Sequence, residues 1–262
     1  MAEAGGAGGA GGAGGTTAVT RRSRLRVGVG TTVRSLLREP VQVLVVAALP
    51  LVVIEGYGIA MESFPAFPFM DAVPSAMGRV NGAIYASALL AAVLGLFQVI
   101  SARQADERLR LCGYPPAELF AARLGAVGGA SLLVAGLSLA ALSWRVDVGA
   151  PTVAFAALAA AALVYGLIGM LVGAALPRAL EGSLVLVFLI DADDFLSSGM
   201  LDIDSPLLSV FPLAHPHELL RTAVFEGSLA SGPALATGAY LAVLLALVGA
   251  VYVALTGGVV RG

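Results

Sequence analysis

The chain holds 262 residues, of which 58% are hydrophobic and 12% charged, and its mean hydropathy is +0.92. A soluble domain carries about a quarter charged residues, so charge is too sparse here to cover a water-facing globule, and the apolar content excludes disorder over most of the length. The 15 basic and 17 acidic residues give a formal net charge of −2, which argues against a nucleic-acid partner. Every basic residue is Arg, so a lysine-containing P-loop, a lysine Schiff base and a lysine general base are excluded. The single cysteine, Cys112, makes neither an internal disulfide nor a multi-cysteine metal site. The class that remains is an all-α integral membrane protein, with no cofactor implied.

Residues 1–23, in which Gly5 to Gly15 read GGAGGAGGAGG, are expected to form a flexible, Gly-rich cytoplasmic tail. No cleavable signal peptide is expected, because six Arg precede the first long apolar run. Residues 24–39 place Val33, Leu36 and Leu37 at helical spacing opposite Arg34 and Arg38, ahead of Pro40. This predicts an amphipathic helix at the inner membrane surface, or a basic linker that sets topology.

Residues 40–262 form the expected six-span membrane domain. The apolar runs are Val41–Met61, Val80–Ala102, Leu119–Trp144, Val148–Leu176, Gly182 to about Met200, and Pro233–Leu255. A span needs about 20 apolar residues; the fifth run is interrupted by acids. Gly169 and Gly173 in the fourth run form a small-xxx-small pair suited to close helix packing. With the N-terminus inside, the inner segments hold 12 Arg and the outer segments 3, namely Arg79, Arg145 and Arg221. That split predicts six spans with both termini cytoplasmic.

Two interior stretches carry polar chemistry. Between the second and third runs, ADERLRLCGYPPAELFAARL predicts a charged helical turn or two over Asp106–Leu111. It is broken by Gly113 and Pro115-Pro116, and helix restarts at Ala117. In the fifth run, Glu181 to Asp191 rises only about 15 Å as helix before Asp191, Asp193 and Asp194. Intramembrane acids cannot face lipid. They either line a watery outer vestibule or mark an outer loop that begins at Asp191. Asp191 and Asp194 share a helix face and Asp193 points elsewhere.

Further on, Ser205-Pro206 and His215-Pro216 read as helix starts, with Glu218 in a capping position and Gly227 as a stop. His215, His217 and Glu218 are metal-ligand types, but they cannot all converge from one short helix start.

The order of these pieces is RSLLREP before a span carrying ALPLVV, then the ADERLRLCGYPPAELFAARL elbow, then FPLAHPHELLR before the last span. It resembles the membrane subunits of ABC-2-type transporters over about residues 24–262. The resemblance implies a multi-pass permease of an ATP-driven exporter in a prokaryotic cell membrane. Such a subunit is not itself an enzyme; it forms a homodimer or pairs with a second permease, and it is driven by a separate ATP-binding-cassette subunit. It implies that the elbow docks on that ATPase, through Arg103, Asp106, Glu107, Arg108, Leu109, Arg110, Leu111, Gly113, Tyr114 and Pro115. It also implies short re-entrant helices on the outer side before the last span.

Short outer loops argue against large folded cargo and leave a small amphiphilic or lipid-like substrate. Two other classes compete. A secondary transporter would use Asp191, Asp193 and Asp194 as a proton relay, though no internal repeat of two halves is visible. An intramembrane serine protease would need a nucleophile turn that Ser197-Ser198-Gly199 lacks.

Overall fold

The computed structural model describes residues 40–63, 73–111, 116–176, 178–199 and 206–257. The tail and the amphipathic segment with Arg34, Leu36, Leu37 and Arg38 lie outside them, as do Gly113, Tyr114, Pro115 and the side chain of Arg110.

Each apolar run forms a helix. These are α1 (Pro40–Glu62), α2 (Pro74–Leu111), α3 (Pro116–Ser143), α4 (Pro151–Ala175) and α5 (Ala179–Ser197). A 3-10 turn (Pro206–Val210), α6 (Ala214–Arg221) and a π turn (Thr222–Glu226) then lead to α7 (Ser231–Gly257). Among the described residues there is no strand. The first four helices each begin on a proline, whose missing N–H is one the first turn leaves unbonded anyway. Among the described residues, four segments are long and apolar enough to cross a membrane: Pro74–Arg103, Glu118–Ser143, Pro151–Ala175 and Ser231–Tyr252. The architecture is all-helical and compatible with the membrane class.

α2 is the hub, packing on α1, α3, α4 and α5, and its closest partner is α4. The two backbones nearly touch along a strip of small residues. A Cβ on Gly95 would meet the carbonyl of Gly166, one on Gly169 the carbonyl of Ala92, and one on Gly173 the carbonyl of Leu96. Gly169 and Gly173 thus pack as their spacing predicts. In lipid, where apolar burial gives little drive between helices, such close van der Waals contact holds a bundle together.

Two local expectations are corrected. Asp106–Leu111 is helical as expected, but the second helix is far longer than its apolar run Val80–Ala102: α2 begins at Pro74 and runs unbroken to Leu111. Between Gly95 and Gly113 the sequence offers no breaker and is rich in Leu, Ala, Arg, Gln and Glu, all good helix formers. At 38 residues α2 is about 57 Å long, well beyond the roughly 30 Å of hydrocarbon. The second correction concerns α6, which begins at Ala214, not at His215. Its cap residue Leu213 makes no side-chain cap bond, so Glu218 has no capping role. Pro216 sits in the first turn, where no intrahelical N–H is required. Gly227 does close the segment, with φ at +64° in the left-handed region.

The α3–α4 connector fastens this short-helix unit. Gly149 N–H donates to the Val224 carbonyl at 3.1 Å and Ala150 N–H to that of Ala223 at 2.8 Å. Gly149 lies so near Gly227 that a Cβ on it would collide with that backbone.

Candidate functional site

α5 stays helical through all three aspartates and ends at Ser197, so no loop begins at Asp191. Asp193 lies 14 residues past the start at Ala179, about 21 Å along a helix of about 28 Å. Carboxylates near a helix C-terminus face the negative end of its dipole, and α5 has no basic residue in its last turn. Hydrogen-bond donors from neighbouring helices supply the compensation.

Asp193 is 0% exposed and Asp194 4%, so both are enclosed by protein instead of lining an open vestibule; Asp191 is exposed. Asp193 accepts from Tyr165 Oη of α4 at 2.5 Å, from Ser197 Oγ at 2.8 Å, and from the Leu213 N–H at 3.1 Å. Asp194 accepts from Tyr57 Oη of α1 at 3.1 Å and pairs with His217 Nε2 of α6 at 3.1 Å. Asp191 accepts from Tyr85 Oη of α2 at 2.6 Å. The Tyr57 and Tyr85 rings lie against each other, centroids 5.5 Å apart, so Asp191 and Asp194 meet one aromatic pair while Asp193 faces α4. That is the division of faces the sequence predicts.

The cluster ties α1, α2, α4, α5 and α6 to one point. Sequence reasoning located the acids and missed Tyr57, Tyr85, Tyr165 and the engagement of His217. The available signal was tyrosine placement, since a tyrosine within an apolar run needs a partner for its hydroxyl. Of the five described tyrosines, four donate to carboxylates: these three and Tyr252, which donates to Asp106 at 3.2 Å. A second polar cluster stands at the same end of the bundle, where Glu55 pairs with Arg145 at 2.7 Å and with Arg79 at 3.6 Å.

At the opposite end, the elbow residues divide. Arg103 Nη2 donates to the carbonyls of Gly173 at 2.5 Å and Leu176 at 2.9 Å, closing the C-terminus of α4. Asp106 is bound to Arg123 of α3 at 2.8 Å as well as to Tyr252 of α7. Both therefore serve contacts within the bundle. Glu107, Arg108, Leu109 and Leu111 are exposed, Leu111 at 85%. Among the described residues no group of three or more His, Cys, Asp or Glu side chains is placed to hold a metal ion. No family model matches the chain, and no curated protein matches it.

Proposed function

We propose that the chain is the membrane-spanning permease subunit of an ATP-driven ABC exporter of the ABC-2 type. It spans the cell membrane six times with both termini cytoplasmic and works as a dimer with a separate ATPase. The observation that carries this reading is the folded-back unit between α5 and α7. A 3-10 turn packs on α6, α6 packs on α4 and α5, and a π turn packs on α4, all before the last long helix, at the place in the chain where the resemblance leads one to expect short outer helices.

The overhanging end of α2 supplies a docking surface. Arg108 and Glu107 give charges that orient a partner, and Leu109 and Leu111 give apolar anchors. Because this end is one continuous helix clasped by Arg103 and Asp106, a push on it is passed directly into the bundle core. With no lysine in the chain, ATP hydrolysis falls to another subunit. A small amphiphilic or lipid-like molecule is the cargo class.

The test is Leu109→Asp, and separately Arg108→Glu with Arg110→Glu. Each should leave membrane insertion intact and sharply reduce co-purification of the ATPase and its stimulation. Wild-type binding and stimulation by both variants would reduce this surface to a plain connection.

The buried Asp194–His217 pair favours one competing reading, a proton-coupled carrier. Reconstitution of this chain alone separates the two. A carrier transports down an imposed proton gradient without any ATPase, and the permease does not.

A further inference from the structure

A polar cavity of about 180 Å³ opens beside the acid cluster, between the start of α2, the end of α5 and one face of α6. At about 30 Å³ per water it has room for about six waters or one small polar group. The end of α5 contributes Ser197 and the turn after it Gly199, and α6 contributes His217, Glu218 and Arg221. From α2 comes Asn81, which is 2% exposed and whose side-chain Nδ2 has no hydrogen-bond partner. A buried donor left unmet is costly, and the residue that carries it lines the cavity wall.

The charges at the rim decide what fits. Glu218 and Arg221, three residues apart on α6, are both exposed, and neither makes an ion pair among the described residues. His217 is engaged through Nε2 with Asp194. A metal cation would face the Asn81 amide N–H and the Arg221 guanidinium, both of which repel it. A simple anion would suit those two groups but would meet the Glu218 carboxylate. A ligand with both charges matches all three, its anionic oxygens on Asn81 and Arg221 and its ammonium on Glu218. The exposed Trp144, at 74%, and Arg145 stand at the same end of the bundle, as expected for side chains at headgroup depth.

We infer that this cavity binds a small zwitterionic group, an oxyanion and an ammonium a few bonds apart, seated between Asn81, Glu218 and Arg221. A phospholipid headgroup and a free solute share that chemistry. Phosphoethanolamine is the free probe, and phosphatidylethanolamine in the bilayer is the lipid probe.

The experiment uses the full chain in phosphatidylglycerol nanodiscs, without any ATPase, so its outcome is independent of the transport reading. Calorimetric titration with phosphoethanolamine tests the free form. Native mass spectrometry after doping the discs with phosphatidylethanolamine tests the lipid. Saturable binding of the first, or selective retention of the second over phosphatidylglycerol, is expected. Glu218→Gln and Arg221→Gln should each weaken it at least tenfold with unchanged helical content. Binding of free phosphoethanolamine assigns a solute site, and retention of the lipid alone assigns a headgroup site. The inference is overturned if neither probe is held, if inorganic phosphate binds as tightly as phosphoethanolamine, or if both variants bind like wild type.

Discussion

Each aspartate of α5 is paired with a tyrosine hydroxyl, but the three pairs differ in how far water can replace the partner. Asp193 and Tyr165 are both fully enclosed, whereas Asp191 and Tyr85 meet where solvent enters. A hydrogen bond to a charged group contributes about 1.5–3 kcal/mol, and an unmet buried acceptor adds a desolvation penalty. Tyr165→Phe should therefore destabilise the fold by about 2–3 kcal/mol, and Tyr85→Phe by no more than about 1 kcal/mol. Denaturant unfolding in detergent, followed by circular dichroism, measures both; equal losses would refute the distinction. The acids were legible in the sequence because a charge inside an apolar run stands out. Their partners were not, because the pairs Tyr57–Asp194 and Tyr85–Asp191 join residues 137 and 106 positions apart, a separation no local pattern encodes.

Glycine separates into two classes on the helices. Gly169 has the Ala92 carbonyl where its Cβ would go, while Gly128 and Gly129 on α3 face open space. Gly169→Ala should push α4 off α2 and lower stability. Gly128→Ala should be neutral or stabilising by up to about 1 kcal/mol, since alanine is the better helix former. Thermal unfolding of both variants in one detergent gives the comparison, and a Gly169→Ala protein as stable as wild type would mean that the two helices separate without penalty. The i, i+4 spacing of Gly169 and Gly173 announced this contact, yet Gly128 and Gly129 on α3 have no neighbour where a Cβ would go. Spacing alone cannot say which glycines face a neighbour. The reach of α2 was hidden for another reason: hydropathy marks where a helix is greasy, and α2 stays helical past Ala102 on helix propensity and on the clasps made by Arg103 and Asp106.

Across the whole molecule, the apolar runs located the long helices to within a few residues at most ends, because chain that crosses hydrocarbon must satisfy its own backbone. The short unit before α7 was legible only as punctuation. Pro206, Pro216 and Gly227 marked it, but its attachment to the α3–α4 connector depends on backbone bonds from Gly149 and Ala150 that no side chain signals. The arginine distribution predicts where the ends of the chain lie. With Cys112 replaced by Ser, single cysteines from Gly8→Cys and Gly262→Cys should both resist a membrane-impermeant maleimide applied to intact cells and react after lysis. Labelling of either from outside would reverse the orientation.

The order of the tyrosines along the chain bears on biogenesis. Tyr57, Tyr85 and Tyr165 all precede Asp191 in synthesis. On the proposed six-span topology, helices carrying three hydroxyl donors have already emerged when α5 leaves the translocon. An aspartate released to lipid at mid-membrane costs about 2.5–3.5 kcal/mol on the insertion scale, and a waiting donor lets α5 move laterally onto protein before that cost is met. Leu213 and His217 arrive afterwards and close the last open positions on Asp193 and Asp194. On the proposed six-span topology, retention of this acid-bearing helix therefore depends on the earlier ones having assembled around the place it must take.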